Sequence, residues 1–136
     1  MSPDTSEDDL LRSTMPFVRT LGIRTVASTP GEVRARLDWA EGLCTSGGVL
    51  HGGAIMALAD STGGACAFLN LPEGAAGTTT IESKTNFFRA VRGGRVEAVT
   101  RPLHVGRRVI VVQTDVTDAD GRRVAQVTQT QAVLTD

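Results

Sequence analysis

Alternating hydrophobic and polar residues fill most of the second half of the chain. Four such segments, 78–88, 95–104, 107–118 and 122–134, are separated by short glycine-containing stretches, and the one at 118–121 is a strong hairpin signal. A period of two residues is typical of a strand with two different faces. Earlier in the chain, residues 22–28 and 32–39 flank a Thr-Pro-Gly turn. The pattern predicts two strands in the first half and four in the second.

Two other segments have a helical pattern. Residues 7–20 carry apolar side chains near helical spacing, which predicts a short amphipathic helix, and Pro16 leaves the length of that helix open. Residues 52–69 are long and apolar enough for a helix covered on most sides, although His51, Asp60 and several glycines argue against a membrane span. The order of helix, two strands, long helix and four strands indicates an α+β fold. We expect the antiparallel sheet to wrap around the long helix.

Length and composition describe an ordinary single-domain protein. A length of 136 residues predicts one domain, which we place at 21–136. The residues before it, 1–20, form the predicted tail and short helix. A net charge of −1 and only 4% aromatic residues disfavour nucleic acid as a partner. The two cysteines lack CxxC spacing, which fits a reducing cytoplasm. The acidic, polar N-terminus has no signal-peptide pattern, so we expect a cytoplasmic protein that does not enter membranes.

The segment from residue 47 to residue 60 contains the candidate chemistry. Gly52 and Gly53 stand at a helix start, where a ligand can approach the backbone closely and first-turn amides can donate to an oxyanion. Asp60 follows two turns later among small and apolar residues, and we expect burial there to make it a stronger base. It could activate water or attack an acyl carbon directly, and the sequence leaves both open. A buried structural acid is the alternative.

This segment resembles the PaaI-like acyl-CoA thioesterases of the hotdog superfamily. The resemblance rests on His51-Gly52-Gly53, on Asp60 seven residues later and on the strand from Thr80 to Arg89, and it extends over about 21–134. It implies a protein with the hotdog fold that hydrolyses a CoA thioester to a free acid and CoA. It also implies a homodimer, or a dimer of dimers, in which Asp60 of one subunit faces the Gly52 amide of the other. CoA is part of the substrate, so no separate cofactor is implied.

The same resemblance assigns roles to further residues. His51 would position the loop, and Thr80 would assist the attacking group. Thr45 stands six residues before the histidine, where many relatives carry Asn or Gln, and its hydroxyl could still donate to the oxyanion. Three arginines at strand ends would contact the CoA phosphates, although solvated surface charge is an equal alternative: Arg89, Arg107 and Arg108. Four apolar residues would line the acyl pocket unless they are plain core: Met56, Phe68, Phe87 and Phe88.

Other functions share parts of this pattern. A hotdog dehydratase or hydratase would act on a similar thioester but would pair a histidine with an acid. A non-catalytic acyl-CoA-binding protein would bind thioesters without turnover. The sequence predicts no metal site, because no His, Cys and carboxylate residues have ligand spacing and His104 stands alone on a strand.

Overall fold

The computed structural model describes residues 9–135 as a six-stranded antiparallel sheet packed against one long helix. The sheet order is β1-β2-β4-β5-β6-β3, and two short 3₁₀ turns precede the long helix. This architecture confirms the predicted α+β fold with a central helix. The elements are α1 (Leu10–Thr14), α2 (Pro16–Leu21), β1 (Arg24–Thr29), β2 (Glu32–Asp38), α3 (Gly52–Leu69), β3 (Gly77–Phe87), β4 (Arg95–Val105), β5 (Val109–Asp118) and β6 (Arg123–Leu134).

The core lies between α3 and one face of the sheet. Ile55 and Leu58 of α3 are buried against that face, and the buried small residues Ala59 and Gly63 let the helix approach the strands closely. Every second residue of β5 is buried over most of its length, as the alternation predicts. By length and composition α3 could also cross a membrane, but half of it is buried inside the domain. The cytoplasmic location stays a prediction.

The predicted single N-terminal helix is wrong in one respect, because the chain forms two short helices there. Met15 is extended, with φ −122° and ψ 104°, since the ring of Pro16 disfavours a helical residue before it. Pro16 then begins α2, where its missing N–H is not needed. Leu11 and Val18 are fully buried in the main core, so both helices pack as part of the domain. Residues 7 and 8 of the predicted helix lie outside the described residues.

Strand β3 is an edge strand with a bulge. Its pairing with β6 shifts by one residue at Ile81, because Thr80 opposes Gln131 while Glu82 opposes Thr130. Such a shift reverses which alternate residues face the helix. Thr80 before the bulge and Phe87 after it therefore both point to the α3 side. Simple alternation along the sequence would place them on opposite faces.

Candidate active site

The Asp60 carboxylate lies where α3 passes the open edge of the sheet. Its Oδ1 accepts hydrogen bonds from Thr80 Oγ1, at 3.1 Å, and from Gln129 Nε2. The side chain is exposed in the single chain, so the expected burial by surrounding apolar residues is wrong there. The reason is the sheet topology, because β3 is the last strand and no further strand covers Asp60. The structure thus brings Asp60 and Thr80 together at a surface, and the role that the resemblance implies for Thr80 stays a prediction.

Two buried glutamines complete this cluster, and sequence reasoning missed them. Gln129 and Gln131 of β6 are fully buried on the α3 side of the sheet. Gln129 Nε2 donates to Thr80 Oγ1 at 3.1 Å, and Gln131 Nε2 donates to the same oxygen at 2.7 Å. One signal was present, because two glutamines share a strand face with Ala125 and Val127. Polar residues in a core-facing series require buried partners.

The start of α3 offers one free backbone donor. His51 caps the helix by accepting a hydrogen bond at Nδ1 from the Gly53 N–H, at 2.7 Å. Gly53, predicted as an oxyanion donor, already uses its N–H in this cap. Within residues 9–135 the Gly52 N–H donates to no other group. The candidate oxyanion donor is therefore Gly52, with His51 holding the turn beside it.

A cleft of about 330 Å³ opens at this helix start. Thr45, Gly52 and Arg89 line it, so three of the predicted site residues meet there, together with Phe87 and Phe88. The Phe87 ring lies so close to Gly52 that a Cβ on this residue would be 3.1 Å from Cζ. A side chain at position 52 would therefore press on the ring and narrow the approach to the amide.

The three predicted CoA-binding arginines do not form one site within a chain. Arg89 follows the end of β3, whereas Arg107 and Arg108 lie in the β4–β5 turn beside the start of β3, where Val133 N–H donates to Arg108 O. Eleven strand residues separate the two ends by about 30 Å. None of the three forms a salt bridge with any residue in 9–135.

The predicted acyl-pocket residues also divide into two groups. Phe87 and Phe88 lie at the cleft, while Phe68 lines a mostly apolar groove of about 350 Å³ that begins at Gly64, one turn after Asp60. Met56 lies one turn before Asp60. All four are exposed, by 39% to 56%, so none is plain core. The groove is also lined by residues from the N-terminal helices and the start of β3: Leu10, Thr14, Met15, Gly77 and Thr78.

The cysteines and candidate metal ligands lie apart from this cluster. Cys66 is buried, and desolvation raises the pKa of its thiol to about 11; Cys44 is half-buried before the helix. In the described part of the chain, no three His, Cys, Asp or Glu side chains are grouped to hold a metal ion. Metal-independent chemistry stays a prediction.

Known proteins share both the motif segment and the fold. Residues 47–125 match the thioesterase superfamily. The 1,4-dihydroxy-2-naphthoyl-CoA hydrolase of Escherichia coli is 39% identical over 87 residues, which cover 64% of this chain and 63% of that protein. A thioesterase from Haemophilus influenzae superposes with a TM-score of 0.85 at 28% identity, covering 98% of this chain and 95% of the other.

A mutant of the phenylacetic acid degradation protein PaaI from Thermus thermophilus gives a TM-score of 0.80 at 28% identity. The match covers 88% of this chain and 99% of the other. The family match spans more than half of the chain, and these structures share its sheet and central helix. The chain therefore belongs to the thioesterase superfamily, as a PaaI-like member with the hotdog fold.

Proposed function

We propose that this chain hydrolyses acyl-CoA thioesters to a free acid and CoA, with Asp60 and the Gly52 amide as the reacting groups. One observation carries the proposal. A single helix presents a backbone N–H that is free within the described residues at its start and an exposed, hydrogen-bonded carboxylate two turns later.

These two groups match the needs of thioester hydrolysis. Attack on the acyl carbon moves negative charge onto the carbonyl oxygen, where a donor at a helix N-terminus stabilises it. Asp60 can take a proton from an attacking water or attack the carbon itself. If Asp60 takes a proton from water, the water oxygen bonds to the acyl carbon, the carbon–sulfur bond breaks, and the proton passes to the departing sulfur to give the free acid and the CoA thiol. If Asp60 attacks directly, CoA leaves as a thiolate that takes a proton from solvent, and water then hydrolyses the acyl–Asp60 anhydride to the free acid and restores the carboxylate.

The two groups of one chain cannot serve the same thioester. Gly52 and Asp60 are eight residues apart on α3, which is about 12 Å along the helix axis. The oxyanion donor and the attacking group must both lie within about 3 Å of one carbonyl group. Each chain therefore holds two half-sites, and we infer a homodimer in which Asp60 of one subunit works with the partner's Gly52.

The open edge of β3 supports such a dimer. This strand is eleven residues long and exposes Ile81 by 62%, and a long uncovered edge readily pairs with another chain. Antiparallel pairing of two β3 strands about a two-fold axis continues the sheet and keeps both α3 helices on one face. It also turns the Thr80 end of one strand toward the Phe87 end of the other, so Asp60 approaches the partner's helix start.

The same pairing unites the divided binding residues. In one chain Arg107 and Arg108 lie at the opposite end of β3 from Arg89, but in the dimer they face the partner's Arg89. CoA phosphates would then meet arginines from both subunits, because guanidinium groups bind phosphate well. The apolar groove at Gly64 and Phe68 would take the acyl group, since it opens one turn from Asp60.

The experiment is free-thiol release from a panel of aliphatic and aromatic acyl-CoAs by the wild type and Asp60→Asn. We expect kcat of the variant to fall by about 100-fold or more, as for loss of a general base. Asp115→Asn is the matched control, because Asp115 bonds Gln126 and Arg123 away from the site and should leave kcat unchanged.

Other outcomes would overturn parts of the proposal. Binding of thioesters without turnover would identify an acyl-CoA-binding protein, and hydration of an enoyl-CoA would identify a hydratase. Light scattering at micromolar concentration should give at least twice the mass of one chain. A monomer with full activity would overturn the shared site.

A further inference from the structure

Gln129 is a fully buried amide with only one of its two polar atoms in use. Its Nε2 donates to Asp60 Oδ1 and to Thr80 Oγ1. Its Oε1 is buried already in the single chain and accepts no hydrogen bond from any residue in 9–135. A buried acceptor without a partner destabilises a fold, and a methionine of similar length would avoid this. The amide at this position therefore points to a role other than stability.

The orientation of the amide follows from its neighbours. A carboxylate can only accept hydrogen bonds, so the Nε2 of Gln129 must face Asp60. The opposite orientation would place Oε1 against Asp60 Oδ1. In the observed orientation Oε1 points at the backbone of α3, where a Cβ on Gly63 would overlap it. The glycine provides the space that the amide needs.

The hydroxyl of Thr80 has its direction set in the same way. Its oxygen accepts from Gln129 Nε2 and, at 2.7 Å, from Gln131 Nε2. The single hydroxyl hydrogen is then left for Asp60 Oδ1, 3.1 Å away. Both donors to Asp60 thus reach Oδ1, and Oδ2 accepts no hydrogen bond from the described residues.

We propose that Gln129 is a positioning residue for thioester hydrolysis, which with Thr80 and Gln131 holds Asp60 by Oδ1 and presents Oδ2 to the reacting atoms. This inference rests on the proposed function and adds which carboxylate oxygen reacts and what orients it. Without the amide, Asp60 would rotate more freely and spend less time in the reactive geometry. Loss of orientation slows the chemical step more than it weakens substrate binding.

The test is Gln129→Met, which keeps the length of the side chain and removes both polar atoms of the amide, Oε1 and Nε2. We expect kcat to fall roughly 10- to 100-fold, because a misplacement of about 1 Å at a reacting group can cost about 100-fold in rate, with KM within about twofold. The melting temperature should equal or exceed that of the wild type, because the unpartnered Oε1 is gone. The control is Gln126→Met on the outer face of β6, which removes a bond to Asp115 and should not change kcat.

A double-mutant cycle separates positioning from general structural support. In an Asp60→Ala background, Gln129→Met should change the residual rate by less than about twofold, because Gln129 acts through Asp60. Gln131 contacts Asp60 only through Thr80, so Gln131→Met should lower kcat by a smaller factor. This variant is a second test if Gln129→Met folds poorly.

Several results would overturn the positioning role. One is wild-type kcat in Gln129→Met while Asp60→Asn is inactive, which leaves the proposed function intact. Another is a rate that Gln129→Met lowers by the same factor in the Asp60→Ala background as in the wild type, together with a lower melting temperature. That result would make Gln129 a structural residue. No thioester turnover by the wild type would overturn the proposed function and this role with it.

Discussion

Two neighbouring glycines of α3 should respond in opposite ways to alanine. A Cβ on Gly63 would overlap Gln129 Oε1 and lie 3.3 Å from Val112 Cγ2, whereas a Cβ on Gly64 would meet no atom within 4 Å. Both residues lie inside the helix, so alanine brings the same gain in helix preference at each. The difference in the free energy of unfolding between the two variants therefore measures how closely α3 packs against the sheet.

The expected changes in stability follow from the gain in helix preference and from the cost of packing the added methyl group. Alanine in place of a helical glycine stabilises by about 0.5–1 kcal/mol, which is the whole effect expected for Gly64→Ala. Inserting a methyl group into a packed site costs about 1–3 kcal/mol, and Gln129 can move little because Asp60 and Thr80 hold its amide. Gly63→Ala should thus be less stable than Gly64→Ala by about 1–3 kcal/mol. For a chain of this length we expect the melting temperatures to differ by roughly 4–12 °C.

The assay is urea unfolding followed by the fluorescence of Trp39, the single tryptophan. The protein concentration must be the same for all variants, because the stability of a dimer depends on it. Gly63→Ala should also have a lower kcat than the wild type, since a displaced Gln129 no longer holds Asp60. If Gly63→Ala is as stable as Gly64→Ala or more so, the packing of Gln129 on the helix backbone is refuted.

Two further predictions concern other residues. Replacing both Arg107 and Arg108 with alanine should raise KM for acyl-CoAs about tenfold but leave KM for thioesters of short thiols nearly unchanged, because only CoA carries the phosphates; equal increases would contradict a role in CoA binding. With a pKa of about 11 caused by desolvation, Cys66 holds about one thiolate per thousand molecules at pH 8. A thiol reagent should therefore label Cys44 first and Cys66 only after denaturation, and rapid labelling of both in the native protein would contradict this.

The sequence by itself determined the elements and the spacing of the candidate groups. Periods of two residues and of 3.6 residues are local properties, so the strands and α3 follow from the chain alone. The separation of Gly52 and Asp60 is likewise set once both lie on one helix. The break at Met15 also has a local cause, because the proline that follows it disfavours a helical residue there. From the sequence, Pro16 is expected only to limit the length of one helix, whereas in the structure it separates two helices.

Only the tertiary structure decided what surrounds Asp60. Gln129 follows Asp60 by 69 residues, and no local pattern states which strand face will meet which side of α3. The bulge at Ile81 depends on how β3 aligns with β6, and it turns both Thr80 and Phe87 toward the helix. The exposure of Asp60 depends on β3 being the edge of the sheet. Strand order and register are set by the packing of the whole domain, and such distant contacts are absent from any short stretch of sequence.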